Sequence, residues 1–244
     1  MFRNKILERI KRGEKALGLF MSDPSEELVE MAGRMGLDFV GFDGQHSPLT
    51  PERVGTLCTI ADGFDVTPTM RVPDGNESTL LSYLDRGIRG ITVPNIQTRE
   101  EAEKLVKFAY FAPLGLRSST SYRMVMNQEG KDRNTLFQEV NANLMIVPQL
   151  ESVTSIRNLD EILKVEGIDY FGGGPEDMAQ SMGIPGRHDD PRVAEIYKEM
   201  ERKVHAAGKF MAGDYIESVN VFWNVKGALE QLLESHGRRS RMTW

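Results

Sequence analysis

Seven times along this 244-residue chain, an apolar run of four to six residues precedes a helical pattern or a turn-rich stretch leading to one. Strands separated by helices cannot pair as hairpins; each helix carries the chain back, so successive strands run parallel. The strand segments are Ala16–Met21, Phe39–Phe42, Thr67–Val72, Gly90–Val93, Leu144–Gln149, Tyr170–Gly173 and Lys209–Ala212. The helical segments run from Asp23 to about Met35, then over Pro51–Ile60, Ser78–Arg86, Arg99–Tyr110, Val153–Val165 and Pro191–Ala207. Proline and acids at the start (Asp23-Pro24-Ser25-Glu26-Glu27) and glycine at the end (Gly36, Gly87) are the residues that helix termini favour. Units of this length, without a linker, predict an α/β fold: a (β/α)8 TIM barrel in a single domain spanning residues 1–244. A short N-terminal helix, Met1–Lys11, carries Phe2, Ile6 and Ile10 at four-residue spacing and is placed across one barrel end.

In such a barrel the chemistry is built at the C-terminal ends of the strands. The second strand leads into Asp43-Gly44-Gln45-His46, the third into Arg71 and the fourth into Asn95. The fifth gives Gln149 and Glu151, the sixth Gly174-Pro175-Glu176-Asp177, the seventh Asp214. An imidazole, a guanidinium and several carboxylates are thus expected on one rim. His46, beside Asp43 or Asp85, has the chemistry of a general base or of a hydrogen-bonded structural histidine. Arg71 leaves a buried strand, so it pairs with a structural carboxylate or awaits an anionic substrate. Glu151 and Asp177 suit Mg²⁺ or Mn²⁺ better than zinc, or else cap the helices that follow. Lys209 begins its strand and faces the wrong rim for a Schiff base, and neither a G-x-x-x-x-G-K-[ST] loop nor a G-x-G-x-x-G fingerprint is present.

The polar segment Arg117–Glu139, with Ser118, Ser119, Thr120, Ser121, Asn127 and Asn134, reads equally as an active-site or interface loop and as plain surface. A net charge of −6 argues against a nucleic-acid partner. A single cysteine, Cys58, allows no internal disulfide and suits a reducing, cytoplasmic location. Charges throughout Met1–Leu17 exclude a signal-peptide core, and no run approaches the ~20 apolar residues of a membrane span. Asn76-Glu77-Ser78 reads as a polar helix start.

Taken together, the chain resembles the HpcH/HpaI aldolases, metal-dependent class II pyruvate aldolases, from about Leu17 to Gly213. The marks are Phe42-Asp43-Gly44-Gln45-His46-Ser47-Pro48, Met70-Arg71-Val72-Pro73, Leu84-Asp85-Arg86-Gly87, Val93-Pro94-Asn95, Gly115-Leu116-Arg117, Pro148-Gln149-Leu150-Glu151 and Gly174-Pro175-Glu176-Asp177-Met178. The resemblance implies cleavage of 4-hydroxy-2-oxo acids to pyruvate and an aldehyde through a pyruvate enolate. It implies His46 as base, paired with Asp85, with Asp43 in support. Arg71 would hold the pyruvyl oxygen, the amides of Gly174 and Glu176 the carboxylate, and Gln149 belongs with the substrate-binding set. Glu151 and Asp177 would be ligands of Mg²⁺, Mn²⁺ or Co²⁺. Glu176 stands where a small residue is usual, and Gln45 where glutamate is frequent.

The same site could serve decarboxylation or lyase chemistry on oxaloacetate-like acids, and a non-catalytic acid-binding barrel is the alternative from another class. The resemblance further implies a homo-oligomer, a trimer or hexamer, whose last helix is often exchanged with a neighbour. The C-terminal end is atypical and short. Ile216–Val225 falls at the seventh helix, yet Val219–Val225 has strand character. Read as the eighth strand, it leaves Ala228–Ser235 as the last helix and no seventh.

Overall fold

The computed structural model describes residues 3–119, 123 and 130–242. Its strands are β1 (Ala16–Met21), β2 (Phe39–Asp43), β3 (Thr67–Arg71), β4 (Gly90–Val93), β5 (Met145–Leu150), β6 (Tyr170–Gly173), β7 (Phe210–Met211) and β8 (Ile216–Asn220). The helices, in chain order, are α1 (Lys5–Lys11), α2 (Glu26–Arg34), α3 (Pro51–Gly63), α4 (Glu77–Leu84), α5 (Arg99–Ala109) and α6 (Arg133–Ala142). They continue with α7 (Val153–Arg157), α8 (Leu159–Ile162), α9 (Pro175–Ser181), α10 (Pro191–Ala206), α11 (Ala212–Tyr215) and α12 (Val221–Ser235).

All strand pairs are parallel, in the order β7-β6-β5-β4-β3-β2-β1-β8. The sheet curls as a barrel does, but its two edges do not meet: among the described residues β7 pairs only with β6 and β8 only with β1. The closed barrel expected from the sequence is therefore corrected to an open one. The cause is chain length. Parallel neighbours need a crossover of a dozen or more residues, and between β7 and β8 stands only the single turn α11. The C-terminal ambiguity resolves accordingly: Ile216–Asn220 is the eighth strand, the full seventh helix is missing, and the last helix begins at Val221.

Alternation along the strands fixes both layers. Val40 and Phe42 of β2, Met70 of β3 and Ile91 of β4 point outward and are buried under the helices with Val29, Leu57, Leu80 and Leu105. Phe39, Gly41 and Asp43 therefore point inward. Gly18 is required beside Phe39, whose ring would lie 2.4 Å from any Cβ there. The N-terminal helix does lie across one barrel end: Asn4 caps it, and Ile6 packs with Ala16, Phe39, Met145 and Tyr215. Phe2, the other expected anchor, lies outside the described residues.

Two helical segments differ from the sequence reading. Val153–Val165 breaks into α7 and α8 at Asn158, whose side-chain amide donates to the Gln97 carbonyl at 2.9 Å. The polar segment ends in α6, capped by Asp132; Thr120, Ser121 and Asn127 lie outside the described residues. Among the described residues no helix is long and apolar enough to cross a membrane.

Candidate active site

The register of β2 on β3 sets Asp43 directly beside Arg71. Both side chains point inward at the C-terminal end, and they meet as a two-point ion pair, Nη2–Oδ2 at 2.5 Å and Nε–Oδ1 at 3.1 Å. Asp43 Oδ1 also accepts the Gln45 and His46 amides at 3.1 and 3.3 Å, closing the turn that carries the imidazole. Burial pushes the Asp43 carboxyl up, but Arg71 and the two amides outweigh it and hold it below its ordinary value. Asp43 is thus a fixed anion, and its two bonds to Arg71 use Nε and Nη2 but not Nη1.

Across the rim, Glu151 follows β5 and is only 3 % exposed. Its Oε1 accepts the Asn95 amide at 2.9 Å, while its Oε2 is buried without a donor, as is Gln149 Oε1. Burial drives the Glu151 carboxyl up to about 7; the Asn95 amide works against this, and the charge of Asp177 adds to it. Asp177 lies exposed in the first turn of α9. Gly174 makes the approach possible, since a Cβ there would fall 2.2 Å from Glu151 Oε2 and 2.8 Å from Gln149 Nε2. A cavity of about 370 Å³ inside the barrel is lined by Arg71, Gln149, Gly172 and Gly173 at this end and reaches Ile6 at the other. In a closed barrel, layers of side chains fill such space.

Other expected partners lie elsewhere. The His46 side chain is exposed at the mouth. Asp85 follows α4, at the opposite end of the barrel, where its Oδ1 accepts Arg117 Nη2 at 2.7 Å. Among the described residues no hydrogen bond or ion pair joins His46 to Asp85, so within one chain that pair does not form. The Glu176 carboxylate is on the rim, 2.6 Å from His188 Nδ1, both exposed. The Gly174 amide donates to Tyr197 Oη at 2.8 Å and is not free for a ligand. Asp214 is not on the rim: α11 returns the chain to the N-terminal end, where Asp214 meets His205 at 2.8 Å. Lys209 is on that end too, donating to the Val165 and Ile168 carbonyls.

Two carboxylates, one carrying a buried oxygen without a donor, beside a glycine-lined space are what a hard divalent cation requires, so Glu151 and Asp177 fit one. A second grouping, Glu201, His205 and Asp214, is exposed, and two of its members already bond to each other. Sequence reasoning placed Asn95 on the rim but gave it no task. Its φ of +55° turns its amide onto Glu151, and asparagine after Pro94 is the available signal, being one of the few residues that adopt this backbone.

A profile of the HpcH/HpaI aldolase/citrate lyase family matches residues 16–234. The 2-keto-3-deoxy-L-rhamnonate aldolase of Escherichia coli (strain K12) is 32% identical over 206 residues, covering 84% of this chain and 77% of that one. In structure the chain is similar to an HpcH/HpaI aldolase from Desulfitobacterium hafniense DCB-2, with a TM-score of 0.86 at 21% identity and 98% of each chain covered. It is also similar to the citrate synthase SbnG, at a TM-score of 0.83 and 26% identity over 97% of this chain and 98% of that one. With a profile match across most of its length and a named aldolase relative at 32% identity, the chain belongs to the HpcH/HpaI aldolase/citrate lyase family of carbon–carbon lyases.

Proposed function

We propose that this protein cleaves 4-hydroxy-2-oxo acids to pyruvate and an aldehyde, as a class II aldolase. The observation that carries the reading is the pairing, on one rim, of a clamped arginine with a buried carboxylate oxygen that has no donor. Glu151 and Asp177 would hold Mg²⁺, Mn²⁺ or Co²⁺, which when bound supplies Lewis acidity toward the oxygens of a 2-oxo acid. The Glu176 amide precedes the first hydrogen bond of α9, from Met178 to Gly174, and is left for the substrate carboxylate. Arg71 Nη1 donates to the keto oxygen and strengthens that bond as the oxygen gains charge. His46 takes the proton of the C4 hydroxyl; C4 becomes the aldehyde carbonyl, and the C3–C4 electron pair passes into the enolate of pyruvate. A proton returned to C3 completes the turnover.

The test is pyruvate release from a panel of 4-hydroxy-2-oxo acids, by metal-stripped protein resupplied with each divalent ion. Activity lost on stripping and restored by an ion supports the reading. Turnover of oxaloacetate alone would transfer the site to decarboxylation, and a folded protein inert on every acid would make it a binding barrel.

We also propose that the protein works as a homo-oligomer. No residue of α12 is buried, and Phe222, Val225, Leu229 and Leu232 are each at least half exposed, a surface expected to be covered. A His46–Asp85 pair, out of reach within one chain, could then form between two. Light scattering after gel filtration is expected to give a trimer or hexamer; a stable monomer with full activity would remove this part of the reading.

A further inference from the structure

Tyr197, on α10, reaches into the place where the two candidate metal-binding segments part. The pairing of β5 with β6 ends at Gln149↔Gly172 and Leu150↔Gly173. Immediately beyond, the Tyr197 hydroxyl accepts the Gly174 amide at 2.8 Å and donates to the Leu150 carbonyl at 3.4 Å. Leu150 is the neighbour of Glu151, and Gly174 stands three residues before Asp177. The ring fits because residue 173 is glycine: a Cβ there would come within 2.3 Å of Tyr197 Cε1.

A direct backbone bond between these strand ends would draw them to the ordinary ladder spacing of roughly 3 Å from N to O. The hydroxyl, with a bond on each side, holds them further apart while still tying them together. Burial and the neighbouring carboxylates push this phenol up, so it keeps the proton that it donates. We propose that Tyr197 is a positioning residue that sets the separation of the Glu151 and Asp177 segments, and thereby their affinity for a shared divalent ion. This rests on the metal reading above.

The experiment is calorimetric titration of metal-free protein with Mn²⁺, comparing wild type, Tyr197→Phe and Glu151→Gln. Phenylalanine fills the same notch, so Tyr197→Phe is expected to melt within about 5 °C of wild type. It is expected to bind Mn²⁺ 10–100-fold more weakly, the usual loss when a group orienting a ligand is removed. At a temperature where the melting curves show both proteins fully folded, its deficit in kcat should shrink as Mn²⁺ is raised. Unchanged Mn²⁺ affinity in Tyr197→Phe, with binding lost in Glu151→Gln, overturns the role of Tyr197 and leaves the metal site standing. Equal binding by wild type and Glu151→Gln, or none by wild type, overturns the metal reading and this inference with it. If Tyr197→Phe melts too early to titrate, Gly173→Ala, which displaces the ring by one methyl, replaces it: weakened binding supports the role and unchanged binding overturns it.

Discussion

Replacing Arg71 with alanine is expected to lower kcat/KM for pyruvate release about 10²–10³-fold, the usual effect of removing one donor from a developing oxyanion. The geometry adds a second loss. Arg71 clamps Asp43 at two points, and Asp43 in turn holds the His46 amide. Without the guanidinium, burial acts on Asp43 opposed only by two amides, its carboxyl moves up, and the turn carrying His46 loses its fixed anion. Removing one partner of a buried pair costs about 3 kcal/mol at the lower end, apt here because the Arg71 side chain keeps 21% exposure. Melting curves must therefore accompany the kinetics. Arg71→Lys separates the two effects: it restores a charge beside Asp43, and with it much of the melting temperature, but it lacks the fork that serves carboxylate and substrate at once. Turnover near wild type in either variant, measured by steady-state pyruvate release, would remove Arg71 from the chemistry.

The strand pattern was legible because a period of two, once buried, leaves little freedom. Asp43 and Arg71 are the last residues of strands whose outward residues are core, so both had to face inward at the same end, and register made them neighbours. Residues placed by return segments were harder to read. Asp85 and His46 flank the Arg71 motif along the chain, but a helix antiparallel to the strands carries Asp85 to the other end of the barrel. Asp214 was read from a full-length seventh strand, whereas β7 is two residues long and the chain turns back at once. The open seam follows from a connection too short to cross over. That shortness shows only once β7 ends at Met211 and β8, from Ile216, pairs with β1.

The backbone contributions were the least legible. The Asn95 amide on Glu151, the glycine gaps at 173 and 174, and the Tyr197 hydroxyl between two strands all depend on distances below 3.5 Å. Side-chain type alone does not report such distances. The meaning of Gly173-Gly174 lies in what fills each missing Cβ: a tyrosine ring at the first, a carboxylate oxygen at the second.

Glu151→Gln is expected to abolish measurable metal affinity and, with it, pyruvate release at micromolar Mn²⁺, while leaving the metal-free fold intact or firmer. Both directions follow from the buried carboxyl. Its ordinary value is 4.5 and burial raises it to about 7, so between these two values the folded protein keeps a proton that the unfolded chain gives up. The metal-free protein must then lose stability as pH rises through that window, and glutamine, which carries no charge to desolvate, escapes the loss. Metal binding runs the opposite way, because the ion takes the ionised carboxylate. With half-ionisation near 7, wild-type affinity is expected to be about tenfold weaker at pH 6 than at pH 8. Titrations with Mn²⁺ at the two values, alongside melting curves of metal-free wild type and Glu151→Gln, read both slopes. A wild-type affinity flat from pH 6 to 8, or a glutamine variant that binds Mn²⁺ as wild type does, would take Glu151 out of the metal site and leave the aldolase reading resting on Arg71 and the family alone.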